Sequence, residues 1–373
     1  MILYILSDIT DAKQFEWIVN SNLNKKKFNI KFILINKTLK NNKLKNFLYN
    51  NNSILAALNY KNFFSYFYIS AMLFYIFFKH KPKIIHCHLR KASILGIIIG
   101  FFLGLEKRII TRHHGNENYK NYFKGFYLDK LICRLSTHVV SISENTNKLL
   151  LQENSNIISK MHLIHHGFDF NYFNKKNVND IIKLKKKYKI KSNTIVIGSI
   201  SRFVDWKGID YTVKAFIEYN KIYPDSILIL ANARGPYKNE INKYLKLLPE
   251  NSYRLVDFET NINSFYQLFN IFVHVPIDEE CEAFGQVYIE SLALKIPSIF
   301  TKSGVGSEFL EHKKNCYIAN FKDSISIFNG LIYFTTINQE IKNKILNTGY
   351  NNVSEKFSIN RMLNNLNILY FSD

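Results

Sequence analysis

Two carboxylates eight positions apart frame a Phe-Gly pair in the segment Glu282-Ala-Phe284-Gly285-Gln-Val-Tyr-Ile-Glu290. Gly285 stands where a helix should open, after an apolar strand at Ile271–Val275 and a loop at Pro276–Cys281. The first amides of a helix have no partner inside it and can bind oxygen-rich or anionic groups. Glu282 would then lie on the loop and Glu290 about two turns into the helix, on the same side. Carboxylates accept hydrogen bonds and so suit paired sugar hydroxyls. The plainer alternative is an acidic loop followed by an ordinary helical Glu.

A second group, Arg202-Phe-Val-Asp-Trp-Lys207-Gly208, follows a strand at Thr194–Ile200. Arg offers a bidentate fork and Lys a point charge, a pair suited to a diphosphate. The carboxyl end of a strand is where a Rossmann-like domain binds phosphate. In so lysine-rich a chain Lys207 gains meaning only from its linkage to Arg202 and Gly208. A third group, Ser303-Gly304-Val305-Gly306-Ser307-Glu308, follows a strand at Ser298–Thr301 and should precede a short helix capped by Ser303 or Ser307. Its glycines let backbone amides come close to a phosphate, although a simple turn has the same composition.

Histidines mark two further strand ends, His86-Cys87-His88 and Thr111-Arg112-His113-His114-Gly115. A histidine there can move a proton or bind a substrate hydroxyl. Alternation puts His86 and His88 on one side, but no third metal ligand is identifiable. The chain has no Asp-x-Asp, so cations and helix ends would neutralise a bound diphosphate. Asp278-Glu279-Glu280 reads as a solvated acidic loop. No P-loop and no Gly-x-Gly-x-x-Gly after a strand is present, which removes ATPase and NAD-enzyme readings.

The elements that must position these groups alternate strand and helix. The first half gives strands at Ile2–Leu6, Ile30–Ile35, Lys83–His88, Arg108–Thr111, Val139–Ile142 and His162–Ile164. Helices fall at Phe15–Leu23, Phe63–Phe78, Lys91–Phe102, Tyr127–Leu135 and Asn145–Glu153, and Phe47–Asn59 is ambiguous. A polar stretch, Asp169–Asn179, resembles a linker. The second half repeats the alternation and ends in a helical period over Ser354–Asn367. This predicts α/β architecture with parallel sheets. Residues 1–170 would form an N-terminal domain, 171–353 a C-terminal domain, and 354–373 a helix crossing back to the first.

Arg202…Lys207-Gly208 followed by Glu282-x-Phe-Gly-x4-Glu290 resembles glycosyltransferase family 4, retaining enzymes of the GT-B fold. Ile84–His88, Thr111…His114-Gly115, Ser141–Glu144, His166–Asp169, Pro297 and the Ser303–Glu308 loop extend the resemblance over roughly 84–318. It implies two Rossmann-like, doubly wound domains facing a cleft, with the acceptor on the N-terminal side and the donor on the C-terminal side. It implies that Arg202 and Lys207 hold the donor diphosphate and stabilise the departing nucleotide. Glu290 would bind ribose; Glu282, Phe284 and Gly285 would meet the donor sugar. Gly304 and Val305 would complete the donor set, and His114 would lie near the reacting carbon. No enzyme nucleophile, metal or cofactor is implied beyond the nucleotide-diphosphate sugar. The chain departs from the family in its early loop, Ser7–Asp11, in His166 where Asn is usual, and in Glu259-Thr260 where Gly is common.

Composition bounds the rest. The 373 residues suit two domains. Lys and Arg number 50 against 29 acidic residues, a formal charge of +21. Base composition of the genome, an anionic membrane surface and nucleic acid compete to explain that charge, and no nucleic-acid module is present. Cys87, Cys133, Cys281 and Cys316 form no CxxC pair, consistent with a reduced cytosol. The N-terminus lacks signal-peptide features. Phe63–Phe78 and Ala92–Leu105 are apolar but shorter than the roughly 20 residues of a membrane span. Each reads as a buried helix or as one dipped into a membrane surface. The expectation is a cytoplasmic, peripheral enzyme moving a hexose or N-acetylhexosamine to a lipid-linked sugar or surface polysaccharide. A nucleotide-sugar epimerase and an inactive membrane-associated scaffold are the alternatives.

Overall fold

The computed structural model describes residues 1–21, 29–115 and 123–371. The end of the helix expected over Phe15–Leu23 lies outside them. The chain divides into two compact units, Met1–Phe168 with Phe357–Asp373, and Asp169–Lys356.

The first unit contains β1 (Ile2–Ser7), β2 (Ile30–Asn36), β3 (Ile54–Asn59), β4 (Ile84–His88), β5 (Lys107–Arg112), β6 (His138–Ser141) and β7 (Met161–Leu163). They form a parallel sheet in the order β3-β2-β1-β4-β5-β6-β7. Successive side chains of β1 enter opposite cores. Ile2, Tyr4 and Leu6 join the core that includes residues of helices Lys13–Asn20, Lys43–Asn50 and Ile359–Phe371. Leu3 and Ile5 join the core built with helices Phe64–His80 and Arg90–Phe102. A sheet covered on both faces explains why its central strand is apolar throughout.

The final helix, Ile359–Phe371, belongs to this unit and buries Met362, Leu363, Leu366, Leu369 and Tyr370. The sequence pattern over Ser354–Asn367 suggests one helix, but the chain breaks between Gln339–Lys356 and Ile359–Phe371. Phe168 causes the break by pairing with this segment. Its N–H donates to the Phe357 carbonyl at 2.8 Å, and its own carbonyl accepts from the Ile359 N–H at 2.9 Å.

The second unit contains β8 (Ile195–Ile200), β9 (Ser226–Ala231), β10 (Tyr253–Val256), β11 (Ile271–His274), β12 (Ser298–Phe300) and β13 (Tyr317–Ile318). They are parallel, in the order β10-β9-β8-β11-β12-β13. Helix Ser324–Thr336 packs against helix Ile209–Ile222. The former escapes sequence reading because it is apolar on both sides: Ile327 is buried while Ile325 is 70% exposed.

The ambiguous span Phe47–Asn59 resolves into helix Lys43–Asn50 and strand β3. Asn52, at φ 51°, makes the turn between them. The linker-like stretch carries a short helix, Phe170–Phe173, capped by the Asp169 side chain. In each sheet the order reverses beside the first strand, between β1 and β4 and between β8 and β11. Ligands of such folds bind outside the carboxyl ends of those strands.

Candidate active site

The loops leaving β8 and β11 lock together at the second sheet's reversal point. The Ile277 N–H donates to the Trp206 carbonyl at 3.1 Å. Gly208, at φ +64°, lies so close to the neighbouring loop that a Cβ there would stand 2.1 Å from the Val275 carbonyl oxygen. Only glycine permits that approach. The result is that Lys207 and Glu282, 75 positions apart, form a buried ion pair. The His274 Nε2–H donates to the same Glu282 Oε1 at 2.9 Å.

Burial alone would raise the Glu282 pKa, but Lys207 and His274 outweigh it and hold the carboxyl at about 2. Burial lowers the His274 pKa against the pull of Glu282. A neutral His274 bonded to an ionised carboxylate must carry its proton on Nε2. Arg202, by contrast, is exposed, and its guanidinium makes no hydrogen bond or ion pair among the described residues. One cation is therefore fixed in place and the other is available. Next to Arg202 in the chain, the buried Ser201 Oγ has no hydrogen-bond partner among the described residues.

The Gly304 loop closes over Glu282. The Glu282 N–H donates to Ser303 Oγ at 3.1 Å, the Gly304 N–H to the Glu279 carbonyl at 3.0 Å, and the Val305 N–H to the Phe284 carbonyl at 3.0 Å. A Cβ on Gly304, whose φ is +54°, would stand 2.7 Å from the Glu282 Cβ. The sequence suggests a loop preceding a helix with a serine cap. Instead Gly304–Glu308 is itself a short 3-10 turn, and Ser303 makes no cap because its hydroxyl serves Glu282 and the Glu279 carbonyl.

Gly285 caps helix Gln286–Ala293 at φ 88°. Phe284 is buried beside it. Glu290, on that helix, accepts from the Tyr266 hydroxyl at 2.7 Å. Burial raises its pKa, with the Tyr266 hydrogen bond opposing. Glu282 and Glu290 therefore answer to different partners. His274 and Tyr266 belong to this constellation but escape sequence reading, since they reach it from β11 and from helix Ile262–Tyr266. Ser201 also escapes it, although it directly precedes Arg202 in the loop after β8.

In the first unit, the carboxyl ends of β4 and β5 gather a histidine cluster. His86 bonds Tyr370 Oη through Nδ1 at 2.6 Å and Thr111 Oγ1 through Nε2 at 2.7 Å. His88 Nδ1 meets His113 Nε2 at 3.0 Å, and His113 stacks on His166 at 5.3 Å. Burial drives the His86 and His113 pKa values down to about 3, aided by the neighbouring imidazoles of His113 and His114 respectively. His86 and His88 do share a side, but His86 is fully engaged in hydrogen bonds and no group of three metal-binding side chains occurs among the described residues. His88 Nε2 is buried without a partner among the described residues. His114 turns away from this cluster and bonds Asp129 at 3.1 Å, while Asp129 also pairs with Arg90 at 3.2 Å. Burial lowers the His114 pKa against Asp129.

Both halves of the chain match known families. Residues 180–351 match the model for "Glycosyl transferases group 1", and residues 47–172 match the model for "Glycosyltransferase Family 4". The chain belongs to glycosyltransferase family 4. It is 26% identical over 302 residues to the capsular polysaccharide biosynthesis glycosyltransferase CapM of Staphylococcus aureus, covering 79% of this chain and 78% of CapM. It is 23% identical over 269 residues to the alpha-monoglucosyldiacylglycerol synthase of Acholeplasma laidlawii, covering 66% and 65%. Among solved structures, Anabaena HepE in complex with UDP and glucose superposes with a TM-score of 0.82 at 17% identity, covering both chains fully. A Rickettsia africae glycosyltransferase gives 0.78 at 22% identity, covering 99% and 97%. These likenesses establish the GT-B fold. In this family 4 glycosyltransferase, Arg202, Lys207, Glu282, Phe284, Gly285, Gly304 and Val305 fall on three interlocked loops, and Glu290 stands on the helix that one of them opens.

Proposed function

We propose that this chain transfers a hexose or N-acetylhexosamine, with retention of configuration, from a nucleotide-diphosphate sugar to a lipid-linked sugar or surface polysaccharide. The observation that carries the donor reading is the fixed Lys207 on the same loop as Arg202, which is unpaired among the described residues, at the switch point of the second sheet. Lys207 is oriented by Glu282, which is oriented in turn by His274. A cation held in a buried, preorganised position stabilises charge on a departing diphosphate more strongly than one in water. Arg202 adds a bidentate contact, and the Ser201 hydroxyl is a further donor for a phosphate oxygen. These groups would neutralise the diphosphate without a metal.

Glu290 would accept the ribose hydroxyls, and Glu282 with the backbone around Phe284 and Gly285 would meet the donor sugar. Gly304 and Val305 would line the same site. A donor phosphate oxygen would take the acceptor's proton on the face where the nucleotide departs, so no enzyme nucleophile is required. In the N-terminal unit, His114 would contact sugar or acceptor. HepE is bound to UDP and glucose, and CapM is named for capsular polysaccharide biosynthesis; both accord with this reading.

The test supplies nucleotide sugars together with extracted bacterial glycolipids. The proposal expects release of nucleotide diphosphate only with acceptor present, and a product whose anomeric coupling matches the donor's. Conversion of the sugar without nucleotide release would instead make the chain an epimerase.

A further inference from the structure

Helix Phe64–His80 is apolar on both sides. Ile69, Leu73, Ile76 and Phe77 face the core, where they are buried. On the opposite side Phe64, Phe67, Tyr68, Phe74, Tyr75 and Phe78 recur at helical spacing, each between 49% and 76% exposed. A helix lying against water carries polar residues at those positions. Contiguous aromatic patches of this kind mark an interaction surface. The neighbouring helix Arg90–Phe102, which packs against it, ends in the exposed pair Phe101 and Phe102.

Charge selects the partner. Between Glu16 and Glu106 the chain holds fourteen Lys and Arg residues and no acidic residue. Lys61, Lys79, Lys81 and Lys83 bracket the aromatic helix and are all exposed. Two copies meeting through this face would bring like charges together, whereas an anionic bilayer supplies the opposite charge. Aromatic side chains with flanking lysines suit the headgroup boundary. No helix among the described residues is long and apolar enough to cross a membrane.

We propose that the exposed face of helix Phe64–His80, extended by Phe101 and Phe102, docks the first unit on an anionic lipid surface. The helix lies flat with its rings at the headgroup boundary and its terminal lysines among the headgroups. Its first turn reaches the carboxyl edge of the first sheet. There Tyr66 stacks on Tyr60 at 5.4 Å, and the Tyr60 hydroxyl binds Asp8 and Lys91. The docked face thus places the sheet's ligand-binding edge beside the lipid. This inference does not depend on the donor chemistry, which is read separately by nucleotide-sugar binding.

The experiment sediments the full chain with vesicles of phosphatidylcholine alone or mixed with phosphatidylglycerol. Binding should require phosphatidylglycerol and weaken as salt rises. Combined Phe64→Ser, Phe67→Ser, Phe74→Ser and Phe78→Ser should lower vesicle affinity at least about ten-fold, with nucleotide-sugar binding unchanged. Equal vesicle binding by this variant would overturn the proposal. So would a wild-type dimer that the variant converts to monomer, since a second copy would then be the occupant. If the variant does not fold, Phe67→Trp decides: quenching of its fluorescence by brominated lipid supports docking, and unquenched emission contradicts it.

Discussion

Arg202 and Lys207 look alike as two cations on one loop, yet the structure gives them different duties. Arg202 is exposed and unpaired among the described residues, so Arg202→Ala should leave stability within about 0.5 kcal/mol. It should weaken donor binding by about 1.5–3 kcal/mol, as for hydrogen bonds to charged groups, which calorimetry would read directly. Lys207→Ala removes the cation from a carboxylate that is 6% exposed, and such a broken pair costs about 3–5 kcal/mol of stability. A Lys207→Ala protein as stable as wild type would contradict the pairing. Glu282 also sets an acid dependence. Its folded pKa, about 2, lies below the ordinary carboxylate value of 4.5. The stability it contributes is complete above that ordinary value and is lost as pH falls towards its folded pKa. At about 1.4 kcal/mol per unit, the loss is on the order of 3 kcal/mol. Denaturant titrations of wild type and Glu282→Gln should show that slope in the former only. The spacing of Arg202, Lys207, Glu282 and Glu290 made these residues visible in the sequence. Their pairing was not, because His274 and Tyr266 enter from elements whose polar ends carry no local signature.

Among the elements, two features test how the units are built. Gly208→Ala places a Cβ against the Val275 carbonyl at a positive φ. It should destabilise the second unit by about 1–3 kcal/mol from backbone strain alone and weaken donor binding, because the β8 and β11 loops can no longer meet. Tyr370→Phe removes a hydroxyl bonded to both Tyr4 and His86. Leaving buried partners unsatisfied costs about 1–3 kcal/mol, so the melting temperature of the first unit should fall; no change would mean the final helix is held by its leucines alone. Strand and helix alternation was legible across most of the chain, since period-2 and apolar strand runs survive on their own. Helices Ser324–Thr336 and Gln339–Lys356 were not, because one is apolar on two sides and the other is polar over most of its length. The break at Phe357 was equally hidden: it depends on a hydrogen bond from Phe168, 189 positions away.

The whole molecule consists of two Rossmann-like units, and the proposed donor site lies in the second. Hydrogen exchange with donor nucleotide alone should therefore slow first in residues 201–208, 275–286 and 303–308. The most direct measurement is a thermal-shift screen of UDP-, GDP-, ADP- and CMP-sugars in the presence of chelator, on wild type and Arg202→Ala. A ligand that binds only folded protein raises the melting temperature by mass action. The expected result is a shift with one nucleotide family that survives chelator and shrinks in Arg202→Ala. Folded wild-type protein that responds to none of these donors, or only when a divalent cation is restored, would contradict it.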